Sequence, residues 1–171
     1  MPPLAVVFAE DMYECLELHY PRLRLIEAGF DVRVVGPASG QTYKSKEGYW
    51  TKSTNTVADI DPQSAKVVVV PGGFCTDRLR RDKQICQWLA AAHAHGAVIG
   101  FICHGAWLPI SANIIKGYRV TCFFAVKDDV INAGATYVED ERVVVDRNMV
   151  TAQTPDDLPG FMAAILKLVP S

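Results

Sequence analysis

Short apolar runs alternating with helical stretches predict an α/β fold, a three-layer sandwich whose mostly parallel sheet carries helices on both faces. Three observations carry the prediction. A strand–helix–strand unit lies within residues 4–35, and such a unit makes a parallel sheet the default. Residues 66–70, Lys-Val-Val-Val-Val, read as a strand covered on both faces. Residues 97–102 form another apolar run that leads directly into a helical stretch, with Cys103 at the junction.

The elements follow in order. Leu4 to Phe8 is an apolar run of strand length, and residues 15–28 are helical, with Leu16, Leu23 and Ile26 at helical spacing and Gly29 as the stop. Residues 30–35 alternate as a strand and end at Gly36-Pro37. Residues 38–56 are polar, aromatic and Gly-punctuated, which predicts a small antiparallel excursion around Lys46-Glu-Gly-Tyr49. The strand at 66–70 ends in Pro71-Gly72-Gly73, a turn that admits close backbone approach.

A helix is expected over 79–95, a strand over 97–102, and a helix over 104–116 closing at Gly117. Residues 119–123 read as a strand and 128–133 as a short helix ending at Gly134. Residues 142–146 and 149–152 flank Arg147-Asn148 as a hairpin, and 155–169 form a last helix with Thr154 as N-cap and Pro155 at its first turn.

The chain has 171 residues, half of them hydrophobic and 21% charged, which suits one globular domain over 1–171 and excludes a disordered chain. Seventeen basic against nineteen acidic residues leave a net charge of −2, so neither nucleic acid nor a membrane is expected as partner. The start, Met-Pro-Pro-Leu, lacks the basic and apolar regions of a secretory signal, and a cytoplasmic location is expected.

Five cysteines, Cys15, Cys75, Cys86, Cys103 and Cys122, include no CxxC pair, which argues against a disulfide framework and against structural zinc. An isolated cysteine is ordinarily a small buried hydrophobe. Cys103 differs in context. In Ile99-Gly-Phe-Ile-Cys-His-Gly-Ala106 a buried strand feeds a helix through a tight turn, the arrangement of a nucleophile elbow with cysteine as the nucleophile. The helix N-terminus behind it is expected to lower the thiol pKa.

Other candidates have plainer readings. His93-Ala-His95 has no acid or thiol partners nearby in sequence, His19 is a helix residue at a surface or pocket rim, and Trp88 and Trp107 suit a core or an interface. Asp128-Asp129 and Asp156-Asp157 are helix-start acids, and Gly72-Gly73 is no dinucleotide fingerprint. No cofactor and no metal are called for.

The segments Ile102-Cys-His-Gly105, Lys127-Asp-Asp-Val-Ile-Asn-Ala-Gly134, Val143-Val-Val-Asp146 and Thr154-Pro-Asp-Asp-Leu158, with Val69-Val-Pro-Gly-Gly73 in register, closely resemble the ThiJ/PfpI family. That family lies within the class I glutamine-amidotransferase-like superfamily and includes intracellular cysteine proteases, glyoxalases and proposed protein deglycases. The resemblance runs from Val6 through the last helix and implies a flavodoxin-like strand order. It also implies Cys103 as nucleophile, His104 as the adjacent histidine of the protease-like branch, and Glu17 as the carboxyl group that contacts the nucleophile, with Glu14 as its local competitor. Gly73 and His104 would supply oxyanion-hole N–H groups. Asp77 stands where the protease-like branch has a glutamate, thought to reach the histidine of a neighbouring subunit.

Four departures from the family pattern are visible: Asp77 is one methylene shorter, Ala106 replaces a proline, Phe101 is bulky, and Cys122-Phe123-Phe124 replaces Ser-Tyr-Pro. The expected function is a cofactor-independent glyoxalase acting on reactive carbonyls such as methylglyoxal, with deglycase-like activity beside it. A cysteine peptidase and a redox sensor or chaperone using oxidation of Cys103 are the alternatives. The expected partners are a small carbonyl compound or a peptide, and further copies of the chain in a homo-oligomer.

Overall fold

In a computed structural model, which describes residues 1–169, six strands form one sheet in the order β2-β1-β5-β6-β10-β9. These are β1 (Leu4–Phe8), β2 (Asp31–Val35), β5 (Ala65–Val70), β6 (Val98–Ile102), β9 (Val143–Asp146) and β10 (Met149–Ala152). Every pairing is parallel except β9 on β10, the expected hairpin at the sheet edge. The five parallel strands therefore follow the flavodoxin-like order, and the order reverses between β1 and β5. In such sheets ligands bind beyond the carboxyl ends of the strands at this reversal. Val67–Val70 of β5 and all of β6 are buried, as strands covered on both faces require.

The excursion at 38–56 contains the hairpin of β3 (Thr42–Lys44) and β4 (Trp50–Lys52). The Lys46 N–H in its turn donates to Tyr13 O at 2.9 Å, which ties the turn to the loop after β1.

Several expected elements differ in extent. The helix expected over 79–95 is two helices, α2 (Cys75–Leu79) and α3 (Lys83–Ala94). Asp82 caps the second by accepting from Gln84 N at 2.8 Å, so the chain breaks where a new N-cap was available. The helix expected over 104–116 is a 3-10 turn at Cys103–Ala106 followed by α4 (Trp107–Ser111). Asn113, with φ of 57°, adopts the left-handed conformation that ends helices.

The strand expected over 119–123 shrinks to β7 (Arg119–Val120), which pairs outside the main sheet with β8 (Thr136–Tyr137). Between these two lies the short helix α5 (Lys127–Asn132). The last helix begins as a 3-10 turn at Pro155–Asp157, where Thr154 N donates to Asp157 Oδ2 at 2.9 Å, and continues as α6 (Leu158–Leu168).

In α1 (Cys15–Glu27) the buried face is Glu17, Leu18, Pro21 and Leu25. Leu16, Leu23 and Ile26, whose spacing marks the helix in sequence, lie exposed on its outer side. Periodicity identified the helix but not which apolar stripe the core would take.

Candidate active site

The carboxyl ends of β5 and β6 bring together the parts of one cavity of about 230 Å³, lined by Glu14, Glu17, Lys46, Gly73, Phe74, Cys103, His104, Phe123, Thr154 and Pro155. Its floor is the elbow. Cys103 has φ of 59°, a left-handed conformation that costs a non-glycine residue about 1–2 kcal/mol. This strained turn lifts the side chain out of the strand line. Thr76 Oγ1 donates to His104 O at 2.8 Å and holds the elbow from α2.

The opposite wall is the Pro71–Gly73 turn. Gly73 has φ of 77°, so any side chain there would be strained. A Cβ on Gly72 would lie 2.9 Å from the Cys103 Cβ and against Glu17 Oε2. The absence of side chains here leaves the Gly73 and His104 amides close enough to the Cys103 sulfur to favour its charged form.

Glu17 is fully buried. Its Oε2 accepts from Gly72 N at 2.7 Å, while Oε1 is buried without a hydrogen-bond partner, beside the Cys103 thiol that lowers the carboxyl pKa in turn. Burial first, and the charge of Glu14 second, push the Glu17 carboxyl up to about 8. Glu14 is also buried; its Oε2 caps α1 by accepting from Glu17 N at 2.8 Å. The competition between the two acids resolves by position: Glu17 meets the sulfur and Glu14 holds Glu17.

The elbow alone was expected to depress the Cys103 thiol, and it does not. Burial and then the charge of Glu17 push the thiol up to about 12, against a weaker downward pull from the two backbone amides. A 3-10 turn of four residues follows the sulfur in place of a regular helix end. At neutral pH both groups are therefore mostly protonated, and the two titrate as a coupled pair in which ionising one opposes ionising the other.

His104 Nδ1 lies 3.2 Å from Cys103 Sγ. Its ring packs among Phe123, Trp107 and Phe74, with centroids 5.1, 5.3 and 5.8 Å away. Burial, followed by the Lys46 ammonium, lowers the imidazole pKa, while Asp129 opposes this; the ring is neutral at neutral pH. Asp77 is not beside it within the chain. Its carboxylate pairs with Arg81 Nη2 at 2.5 Å on the outer side of α2.

Lys46, Phe74, Thr154 and Pro155 join the cavity without having been singled out as site residues. Lys46 arrives from a hairpin turn far away in sequence, and only the tertiary fold could place it. His19 is elsewhere, with Nε2 3.0 Å from Tyr13 Oη. Tyr49 and Trp50 line a separate groove with His19 and Arg22. His93 Nε2 lies 2.9 Å from Tyr118 Oη. Among the described residues no group of three or more His, Cys, Asp or Glu side chains could hold a metal, and no helix is long and apolar enough to cross a membrane.

The model of the DJ-1/PfpI family matches residues 4–168. This chain belongs to that family. "Deglycase PfpI" of Pyrococcus furiosus is 34% identical over 92% of this chain and 93% of its own length. "Putative cysteine protease YraA" of Bacillus subtilis is 33% identical over 95% of this chain and 96% of its own. A solved two-domain protein of Anabaena variabilis, with DJ-1/ThiJ/PfpI-like and ferritin-like domains, superposes with a TM-score of 0.93 at 33% identity. The match covers 96% of this chain and 47% of that one, about the span of one of its two domains. As a DJ-1/PfpI member the chain has relatives named both as deglycases and as a cysteine protease, so family membership leaves the reaction open.

Proposed function

We propose that the protein is a cofactor-independent glyoxalase that converts 2-oxoaldehydes such as methylglyoxal to 2-hydroxy acids. The observation that carries this reading is the fully buried Glu17, held up to about 8 beside the Cys103 thiol with one carboxyl oxygen left without a partner. Such a group gives and takes protons near neutral pH, which is what the isomerisation needs.

In this reading the carboxylate form of Glu17, the minor form at neutral pH, takes the Cys103 proton, and Sγ bonds to the aldehyde carbon. The oxyanion faces the amides of Gly73 and His104 and takes the proton back from Glu17. Glu17, now a carboxylate, removes the proton from the former aldehyde carbon, giving an enediolate, and delivers it to the adjacent carbon, while the hydroxyl proton on the first carbon's oxygen passes to the oxygen of the second. The product is a 2-hydroxy thioester on Cys103, which water hydrolyses to the acid and the free thiol. Oxidation at one carbon balances reduction at the other, so no external oxidant enters. Early glycation adducts carry the same arrangement of C–H beside a carbonyl, so the same pair supports deglycase-like activity.

A cysteine peptidase is the second reading, favoured by the 3.2 Å approach of His104 Nδ1 to Cys103 Sγ. It is ranked lower because the acid that would orient the histidine, Asp77, is committed to Arg81 within the chain. The test is lactate production from methylglyoxal, and peptide cleavage, by wild type and Cys103→Ala in parallel. Lactate formation that depends on Cys103, with no cleavage, supports the glyoxalase; cleavage without lactate overturns it.

The working unit is proposed to be a homo-oligomer. Leu16, Leu23 and Ile26 on the outer side of α1, with Tyr49 and Trp50 of the hairpin, each leave between 49% and 57% of their surface exposed. An apolar face of this kind suits a second copy. A monomeric mass in solution at micromolar concentration would refute it.

A further inference from the structure

We infer that the cavity is built for 2-oxoaldehydes bearing an aryl group, with Phe74 and Phe123 setting that preference. The inference rests on the glyoxalase reading and names its substrate class.

Cys103, Glu17 and Gly73 sit together in the cavity; Phe74, Phe123 and Pro155 give it apolar walls, and Glu14, Lys46, His104 and Thr154 complete the lining. The aldehyde carbon must meet Cys103 and its oxygen the amides, so the substituent beyond the second carbonyl is left to the apolar walls. Phe74 is 52% exposed although it directly follows the buried Pro71–Gly73 turn. Its ring stands in water unless a ligand covers it.

Phe123 stacks on His104 with an interplanar angle of 29°. The stacked pair presents one broad aromatic wall. A methyl group covers little of these rings. A phenyl group can meet them in the offset or edge-on arrangements by which aromatic rings attract. With about 230 Å³ available, a six-membered ring fits beside the dicarbonyl.

The expected advantage follows from the extra apolar area removed from water. Replacing methyl by phenyl in a walled pocket is worth roughly 30-fold in kcat/KM. The phenyl ring takes no part in the chemistry: phenylglyoxal and water give mandelate and a proton, as methylglyoxal and water give lactate.

The experiment compares phenylglyoxal with methylglyoxal on wild type, Phe123→Ala and Phe74→Ala. Cys103→Ala serves as the control for arginine modification by the dicarbonyls. Alongside turnover, mandelate and lactate are titrated onto the wild type by calorimetry. Both products carry the same 2-hydroxy carboxylate, so their difference isolates the ring. We expect kcat/KM to favour phenylglyoxal by at least tenfold, mandelate to bind at least tenfold tighter than lactate, and both ratios to fall several-fold in each phenylalanine variant. Phe74→Ala alters an exposed side chain and keeps the comparison open if Phe123→Ala fails to fold. Methylglyoxal turnover without an aryl preference would overturn the inference and leave the glyoxalase reading standing. If neither dicarbonyl is turned over, the glyoxalase reading fails; equal binding of the two acids would then overturn the aryl pocket too, and tighter mandelate binding would support it.

Discussion

Glu14 Oε2 accepts a hydrogen bond from the backbone N–H of Glu17 at 2.8 Å, and both residues grip the same glycine of the facing turn. Glu14 N donates to Gly72 O at 3.1 Å, while Glu17 Oε2 accepts from Gly72 N at 2.7 Å. The start of α1 and the end of β5 are thereby locked together, which fixes the carboxyl group beside the sulfur. Glu14 also raises the Glu17 pKa through its charge.

Glu14→Gln keeps a capping oxygen and removes that charge. The Glu17 pKa should fall, and the acid limb of the kcat/KM profile should move to lower pH. Glu14→Ala also loses the cap, which costs about 1 kcal/mol, or roughly 2–4 °C in Tm for a chain of this size. A profile unmoved by Glu14→Gln would show that Glu14 serves the fold alone.

Stability should depend on pH through Glu17. Its carboxyl, at about 8 in the folded chain against 4.5 ordinarily, binds more protons folded than unfolded between those values. The associated stability is fully present below the lower value and is lost as pH rises through the higher one, at about 1.4 kcal/mol per pH unit within the window. Wild-type Tm should therefore fall from pH 5 to pH 8 more steeply than that of Glu17→Gln. The same variant should keep its fold and lose activity by 10²-fold or more, because an amide cannot cycle a proton. Parallel Tm curves would remove the basis for a buried neutral Glu17.

Much of this site was legible in the sequence because its parts are local. The elbow at Cys103 and the Gly72-Gly73 turn are each written within a few adjacent residues, and strand–helix alternation fixed the parallel sheet. What escaped depends on distant partners. Leu16, Leu23 and Ile26 gave the period of α1, yet the core takes the stripe of Leu18, Pro21 and Leu25. The raised thiol of Cys103 escaped because its larger cause, burial, and then the Glu17 charge come from distant residues that the elbow's own sequence does not contain. Residues 119–123 have a strand's composition, but beyond Val120 the chain turns to place Phe123 N against Cys103 O at 3.4 Å.

Thiol chemistry gives a prediction of opposite sign to turnover. The Glu17 charge is the second cause, after burial, of the high Cys103 pKa. In Glu17→Gln that charge is gone, so the thiol pKa falls and iodoacetamide labelling of Cys103 at pH 8 should accelerate several-fold while catalysis is lost. Cys75 and Cys122, both fully buried, should stay unlabelled in the folded protein. Mass mapping after timed labelling reads all five sites. Slower labelling of Cys103 in the variant would mean that Glu17 activates the thiol as a base more than its charge suppresses it.

Asp77 and His104 decide between glyoxalase and peptidase. A peptidase needs a base that takes the thiol proton and returns it to a leaving amine, and that base needs an orienting acid. A glyoxalase expels no amine and needs a thiolate and one proton shuttle. Within the chain Asp77 meets Arg81 at a largely exposed ion pair, worth at most about 1 kcal/mol of stability. Asp77→Asn should therefore leave Tm within a few degrees and methylglyoxal conversion largely intact. His104→Ala should lower conversion by tenfold or more, because the imidazole packs against Phe123 and Trp107 and touches the sulfur. Should Asp77→Asn lower lactate production as much as His104→Ala, with the native mass unchanged, the acid would be acting on the histidine of a neighbouring copy. The acid–histidine pair would then be central to the chemistry, and the peptidase reading would move ahead of the glyoxalase.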